Sequence, residues 1–272
     1  MRTALGIAYD GSALAGWQRQ PQRRTAQGLL EAALSQIADA PIELTAAGRT
    51  DAGVHATGQV VHFDSLAERP LRAWVRGTNS KLPASVRVRW ARQVDSCFHA
   101  RFSAVARRYI YLFSDDSMGL PQVLKQTWSG PALDAPAMHR AAQALLGEQD
   151  FSAVRAAGCQ SATPMRFVQQ VVVQRLGALV VLDISANAFV LHMVRNIASA
   201  LRQVGLGQRP EGWLMALLAG RDRRVLGPTA PPQGLSLVDV RYAEADAAEA
   251  LLPQPTGAPP ALLSTVATLD RL

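Results

Sequence analysis

The order of hydrophobic patterns along this chain constrains its fold more than any other feature. Runs that alternate apolar and polar residues indicate strands, and runs with apolar residues at helical spacing indicate helices. In the first third of the chain the order is strand, helix, strand, strand, helix, strand. The strands are predicted at 3–9, 42–46, 59–63 and 86–90, and the helices begin after Thr25 and at Pro70.

The second part of the chain follows the same order without a detectable sequence repeat. Its strands are predicted at 107–113, 167–175, 179–185 and 235–242, and its helices at 136–146, at 187–204 and from Pro210. The order βαββαβ is typical of split βαβ domains of the ferredoxin-like and RRM-like type.

We therefore expect an α+β protein with two RRM-like or ferredoxin-like βαββαβ domains, whose antiparallel sheets join around a central basic cleft. The predicted limits are 1–100 for the N-terminal domain and 105–245 for the C-terminal domain, with a linker between Cys97 and Arg107. Near the C-terminus the composition shifts to Ala, Glu, Asp, Leu and Pro. Residues 246–272 are therefore expected to form a peripheral or mobile tail.

An excess of basic residues favours a polyanionic partner. The 272 residues include 28 Lys and Arg against 21 Asp and Glu, which gives a net charge of +7 and a pI near 10.2. All of these cations except Lys81 and Lys125 are arginines, and a guanidinium both pairs with phosphate and stacks on bases. Genomic base composition explains the same bias equally well, so charge alone does not establish RNA binding.

The sequence shows no pattern for a metal site, a cofactor or a membrane anchor. Cys97 and Cys159 are far apart and lack metal-ligand spacing, and there is no P-loop or dinucleotide motif. No segment approaches about eighteen uninterrupted apolar residues, and no apolar leader opens the chain. We expect a cytoplasmic protein that works without a metal, a cofactor or a membrane.

The stretch Gly48–Ala56 is predicted to be a loop between two strands. Gly48 and Gly53 permit backbone conformations closed to other residues, so they can hold Asp51 on a tight curve beside the guanidinium of Arg49. A carboxylate held in this way can act as a covalent nucleophile or a general base, and the alternative is that Asp51 only shapes a turn.

A second polar loop, at 16–21, carries Trp17 and is followed by two arginines. Such a loop can stack and clamp RNA. Alternatively, Trp17 anchors a surface loop on the core.

Together with Gly58-Gln59-Val60-Val61-His62-Phe63, the Asp51 loop resembles the signature of the TruA family of tRNA pseudouridine synthases. The resemblance spans about residues 5–242, and further matches occur in the order of the family. They include Tyr9-Asp10-Gly11-Ser12, Gly16-Trp17-Gln18, Phe98-His99-Ala100-Arg101, Arg107-Arg108-Tyr109-Ile110-Tyr111, Met193-Val194-Arg195-Asn196-Ile197 and Gly234-Leu235-Ser236-Leu237.

The resemblance implies roles for five residues. Asp51 matches the catalytic aspartate, and Arg49 matches the arginine that helps to flip the target nucleotide. Tyr109 matches the aromatic residue that stacks on the flipped uracil, Arg195 the basic residue that pairs with the aspartate, and Leu235 an apolar contact to the base. Tyr109 and Tyr111 lie on the same face of a strand, so from the pattern alone either is a core aromatic residue, and the motif position favours Tyr109 for stacking. The pattern alone makes Arg195 a solvated helix residue.

The resemblance also implies the reaction. Uridines 38, 39 and 40 of the tRNA anticodon stem-loop would be isomerised to pseudouridine by a homodimer that needs no cofactor. Asp51 could attack C1′ of the ribose, add to C6 of the base or remove a proton from the sugar. Two rivals are a non-catalytic RNA-binding protein and a metal-free nuclease. A metal-free nuclease usually uses a pair of histidines as general base and general acid, and the histidines of this sequence are not arranged in a recognisable pair.

Overall fold

A computed structural model describes residues 1–117, 121 and 123–243 of the chain. The strands are β1 Arg2–Tyr9, β2 Thr45–Ala46, β3 His55–Asp64, β4 Val86–Val94, β5 Ala104–Ser114, β6 Trp128–Ser129, β7 Gly147–Asp150, β8 Met165–Leu176, β9 Leu179–Ala186 and β10 Leu235–Tyr242. The helices are α1 Ala26–Ala38, α2 Thr78–Lys81 after a π-helical turn Ala73–Gly77, α3 Ala135–Ala142, α4 Met193–Gly205 and α5 Trp213–Gly220. The predicted tail, 246–272, lies outside the described residues.

The structure confirms the α+β class, and its backbone contacts group the chain into two compact units. Among the described residues, the first contains Met1–Ala106 and 236–243, and the second contains Arg107–Leu235. The domain limits predicted from the sequence, 1–100 and 105–245, stay predictions. This grouping differs from them mainly in placing most of β10 with the first unit.

In the first unit, β1 lies between β3 and β4 and is antiparallel to both, with Leu5 opposite Val61 on one side and Ala91 on the other. Strand β10 pairs with the other edge of β3 and runs parallel to it, from Ser236 opposite His55. The pairs β1–β3, β1–β4 and β2–β3 are antiparallel as expected, whereas the parallel pairing of β10 with β3 departs from the expected antiparallel sheet.

Helix α1 begins where the sequence predicts. The Thr25 hydroxyl accepts a hydrogen bond from the Gly28 amide at 3.2 Å, which satisfies a backbone donor that a helix start leaves unpaired. Leu30 and Leu34 lie one turn apart on the buried face, where neither is exposed to solvent. The helix ends at Ala38, and the next residue, Asp39, adopts a left-handed conformation with φ of 55°.

The strand predicted at 42–46 is reduced to the two residues of β2. Two backbone donors of this segment bond to side chains of α1 instead of to a neighbouring strand. The Ile42 amide donates to the Ser35 hydroxyl at 2.9 Å, and the Leu44 amide donates to the Glu31 carboxylate at 3.0 Å. Period-two alternation predicted an extended segment correctly, but these donors are not available to a strand ladder.

The second unit contains the strand order β5-β9-β8-β7, in which each neighbouring pair is antiparallel, while β6 runs parallel to β5. The predicted hairpin is observed as β8 and β9. The predicted long helix begins at Met193 rather than at 187, because His192 has a φ of 61° and the Met193 amide donates to the Val190 carbonyl. The helix predicted from Pro210 begins at Trp213.

Candidate active site

The predicted loop between two strands is observed after β2, and backbone and side-chain hydrogen bonds hold it in a compact turn. Gln59, which is fully buried on β3, donates from Nε2 to the Gly48 carbonyl at 2.7 Å. The Val54 amide donates to the Asp51 carbonyl at 3.2 Å, which closes the turn. Gly53 has a φ of 80°, as predicted, whereas Gly48 does not have a positive φ, contrary to expectation. Asp51 is therefore half-buried on an ordered turn.

Thr50, the residue before Asp51, is attached to the N-terminal part of the chain at two points. Its carbonyl accepts from the Trp17 amide at 3.0 Å, and its hydroxyl hydrogen-bonds with the buried Tyr9 hydroxyl at 2.8 Å. Burial raises the pKa of Tyr9 to about 12, so the phenol stays protonated and can donate. Arg49, on the other side of Thr50, is exposed to solvent.

Two glycines allow the N-terminal loop to approach the Asp51 turn. Gly16 has a φ of 94°, and a Cβ placed there would lie 2.9 Å from the Thr50 carbonyl oxygen. A Cβ on Gly11 would lie 2.0 Å from the Val54 carbonyl oxygen. Sequence reasoning missed this role. The available signal was the presence of Gly11 and Gly16 in the N-terminal motifs, but their spacing does not show that these motifs contact the Asp51 loop.

Trp17 is only 1% exposed, and its ring lies 6.0 Å from that of Tyr9. Of the two uses considered for this residue, the structure shows the anchor on the core. The buried indole therefore anchors the loop next to Tyr9, and the ring does not offer a stacking surface. Gln18 to Gln20 of the same loop are exposed.

Histidines of the first unit accept backbone hydrogen bonds. Nδ1 of His55 accepts from the Gly11 amide at 3.2 Å and lies 3.3 Å from the Asp10 carboxylate. Nδ1 of His62 accepts from the Ala100 amide at 3.1 Å. Burial, together with the charge of Arg2, lowers the pKa of His62 to about 4, so this ring is neutral near pH 7.

In the second unit, the structure distinguishes the two tyrosines of β5. Tyr111 is a core residue that is completely buried, and its hydroxyl donates to the Pro231 carbonyl at 2.8 Å. Tyr109 is 8% exposed, and Phe189 meets its ring edge-on, with the ring centres 5.1 Å apart. Both tyrosines are buried, and Tyr109 is the more exposed residue of the pair.

Arg195 is half-buried, although its helix pattern alone predicts a solvated residue. Its Nε donates to the Ala230 carbonyl at 2.8 Å. The segment 228–235, which we call the strap, lies along α4, and the Ser199 hydroxyl also donates to it, at the Pro228 carbonyl 2.7 Å away. The strap ends at Leu235, which is buried at the start of β10. The strap thus both orients Arg195 and carries Leu235.

Asn196 is a further residue that sequence reasoning did not single out. It is completely buried, and its Nδ2 donates to the Val154 carbonyl at 2.8 Å. Its Oδ1 accepts from the Thr229 hydroxyl at 2.8 Å and from the Arg223 guanidinium at 3.0 Å. The amide thereby ties α4 to the strap beside Arg195. Its place in a matched motif was the only signal, because the partners are far away in sequence.

Of the predicted site residues, Asp51 and Arg49 lie in the first unit, and Tyr109, Arg195 and Leu235 lie in the second. Among residues 1–117, 121 and 123–243, no group of three or more His, Cys, Asp or Glu side chains is placed to hold a metal ion. Within the same described ranges, no helix has the length and apolar character to cross a membrane.

Comparison with known proteins agrees with the motifs. A family model described as tRNA pseudouridine synthase matches residues 6–103 and 141–243. A curated relative from Shewanella sp. (strain MR-4), named tRNA pseudouridine synthase A, is 55% identical over 90% of this chain and 94% of its own length. Relatives with the same name from Cronobacter sakazakii and Aeromonas salmonicida are 53% and 54% identical. The first alignment covers 89% of this chain and 90% of the relative, and the second covers 93% of each.

Proposed function

Because this chain belongs to the TruA family of tRNA pseudouridine synthases, isomerases that act on tRNA, we propose that Asp51 is the catalytic carboxylate with which it converts uridine to pseudouridine. The observation that supports this assignment is the fixed turn around Asp51, in which Thr50 is held by both Tyr9 and Trp17. A turn whose backbone is held at two points keeps the neighbouring carboxylate in a defined position, and positioning is a large part of catalysis.

The reaction breaks the bond between C1′ of the ribose and N1 of uracil, rotates the base and joins C1′ to C5. The hydrogen on C5 leaves as a proton and N1 gains one, so nothing is oxidised or reduced. Asp51 attacks C1′, adds to C6 or takes a proton from the sugar, and in each case the ionised carboxylate is the reactive form.

The other predicted residues bind the flipped uridine in this proposal. The exposed guanidinium of Arg49 contacts the RNA backbone and helps to hold the nucleotide out of its stack. The accessible part of Tyr109 stacks on the uracil, and Leu235 makes an apolar contact with it. Arg195, oriented by the strap, takes the role of the basic residue that pairs with the catalytic aspartate in the family.

We further propose that the substrate site is the anticodon stem-loop, at uridines 38, 39 and 40, and that the protein acts in the cytoplasm as a homodimer. Family membership supports these assignments. We also propose that each unit is an RRM-like domain. The strand order β4-β1-β3, with β2 beside β3, in the first unit and the order β5-β9-β8 in the second support this proposal.

Tritium release tests the chemistry directly. In tRNA labelled with tritium at C5 of uridine, the label is lost only where C5 becomes the new glycosidic carbon. We expect release by the wild type and none by Asp51→Asn or Asp51→Ala, with tRNA binding within about tenfold because phosphate contacts dominate affinity. Asp39→Asn, an exposed aspartate in a left-handed conformation that asparagine also adopts, is the matched control and should release normally.

Two results would contradict the proposal. Wild-type protein that binds tRNA but releases no tritium would be a non-catalytic RNA-binding protein, the alternative considered from the sequence. Full release by Asp51→Ala would show that Asp51 only shapes the turn.

A further inference from the structure

The turn His99–Ser103 presents an aromatic ring to solvent. Phe102 is 75% exposed, although a phenylalanine gains free energy from burial. The guanidinium carbon of Arg101 lies 5.5 Å from the centre of the Phe102 ring, so a cation accompanies the exposed aromatic surface. The sequence predicts a linker here, from Cys97 to Arg107, whereas the structure shows an ordered turn.

Local hydrogen bonds fix the backbone that carries Phe102. Nδ1 of His99 accepts from the amides of both Arg101 and Phe102, each at 3.2 Å. The Ser103 amide donates to the His99 carbonyl at 2.9 Å, and the Ser103 hydroxyl accepts from the His99 amide at 3.0 Å. The exposure of Phe102 is therefore a property of a closed, hydrogen-bonded turn.

A continuous series of rings connects Phe102 to the core of the first unit. Its ring centre lies 4.4 Å from that of His99, which in turn lies 4.9 Å from that of the buried His62. Behind His62, Phe98 contacts Tyr242, whose hydroxyl donates to the Ala100 carbonyl of the turn at 2.9 Å. The exposed ring is thus supported from the inside and needs little ordering before it binds a ligand.

A rigid, exposed aromatic ring beside a guanidinium matches one ligand chemistry well. Single-stranded RNA is bound by stacking its bases on aromatic side chains, while arginine pairs with phosphate or stacks alongside. A docking protein would need a wider apolar patch, and here the neighbour of Phe102 is the charged and exposed Arg101. The net charge of +7 also favours a polyanion.

We propose that Phe102 and Arg101 form a stacking platform for an unpaired base of the tRNA, distinct from the uridine that is isomerised. This inference rests on the proposed function, because it takes tRNA as the ligand. The platform adds affinity and helps to set the register of the anticodon loop on the protein.

The test measures tRNA binding at fixed salt in the Asp51→Asn chain, where no turnover should occur. We expect Phe102→Ala to weaken binding by about 5- to 150-fold, the effect of losing one stacked base. Phe102→Trp should restore affinity and Phe102→Leu should not, because leucine keeps apolar surface but lacks a flat π face. Leu66→Ala, at a leucine that is 99% exposed, is the control and should bind normally.

An abasic scan of the anticodon stem-loop then identifies the stacked base. At one unpaired position, removal of the base should weaken binding by the Asp51→Asn protein. The same removal should not weaken binding further when the protein also carries Phe102→Ala. Absence of any such position would overturn the proposal, as would unchanged affinity of Phe102→Ala or equal rescue by leucine and tryptophan. An altered oligomeric state with unchanged tRNA affinity would assign Phe102 to a protein contact instead.

Binding in the Asp51→Asn chain does not depend on isomerisation. Failure of the platform therefore appears as unchanged affinity, while failure of the proposed function appears as absence of tritium release by the wild type. Phe102 is exposed, so its variants should unfold at the wild-type temperature, which circular dichroism can verify.

Discussion

At the scale of single residues, the position of Asp51 depends on the absence of a side chain at Gly16. The backbone of Gly16 has a φ of 94° and passes close to Thr50 and Ala52. An L-residue is strained at that φ, and its Cβ would meet backbone atoms that cannot rotate away. The adjacent Trp17 is anchored in the core, so the loop cannot easily move back.

We therefore predict that Gly16→Ala lowers kcat by about 10- to 100-fold, because a small displacement of a catalytic group is costly. KM for tRNA should change much less, since phosphate contacts are untouched. Single-turnover tritium release measures the effect. Gly212→Ala is the control, because Gly212 has a φ of −69° and a methyl group added there would meet no atom within 4 Å. A Gly16→Ala variant with wild-type kcat would show that the turn tolerates the shift.

At the scale of elements, α4 and the strap behave as one structure joined by polar side chains. Arg195 and Ser199 donate to the Ala230 and Pro228 carbonyls of the strap, and Asn196 accepts from its Thr229 hydroxyl. Asn196 also bonds to Val154 and Arg223, and Gln203 to the Leu226 carbonyl, just before the strap. These bonds join residues that are far apart in sequence, so the orientation of Arg195 depends on tertiary contacts.

We predict that Asn196→Ala destabilises the protein by about 2–3 kcal/mol, because the buried Val154 carbonyl loses its side-chain donor and the half-buried Thr229 and Arg223 each lose one of their hydrogen bonds. Urea unfolding measures this change. Gln203→Ala removes one bond at a half-buried position of the same helix and should cost about 1 kcal/mol or less. The turnover of Asn196→Ala at a temperature where it is folded should also fall, because Arg195 is less well oriented. Equal stability losses in the two variants would contradict this account.

At the scale of the whole molecule, the excess of positive charge determines how the protein meets its substrate. With a net charge of +7, carried almost entirely by arginine, long-range attraction to tRNA is sequence-independent and is weakened by salt. The chemistry proposed for Asp51 follows binding, so we do not expect it to depend on that attraction.

We predict that affinity for tRNA falls more than about tenfold between about 50 and 200 mM salt. In a plot of the logarithm of the association constant against the logarithm of the salt concentration, each neutralised phosphate contributes a slope of roughly −0.7 to −0.9. KM should rise in parallel, while kcat at saturating tRNA should stay within about twofold. Filter binding and single-turnover kinetics over the same salt range provide the comparison. A salt-independent affinity would show that apolar contacts dominate the interface.

Much of the fold could be predicted because it depends on local pattern. Period-two alternation located β1, β8 and β9, and the Thr25 cap located the start of α1. The loop that carries Asp51 was also predictable, since its glycines and flanking strands are all close in sequence. The roles of the site residues came from resemblance to a family, and they stay predictions.

The sequence by itself determined the kinds of elements, their order and the chemical groups available, since these depend on spacing and side-chain type along the chain. Only the tertiary structure decided where distant backbone groups find their partners. In the structure, the strand in the 42–46 segment is only the two residues of β2, and β10 runs parallel to β3. Arg195 donates a hydrogen bond to the strap. The positions of β10 and Arg195 depend on hydrogen bonds between residues far apart in sequence, and β2 is shortened by bonds to side chains of the preceding helix. A strand pattern encodes neither kind of bond.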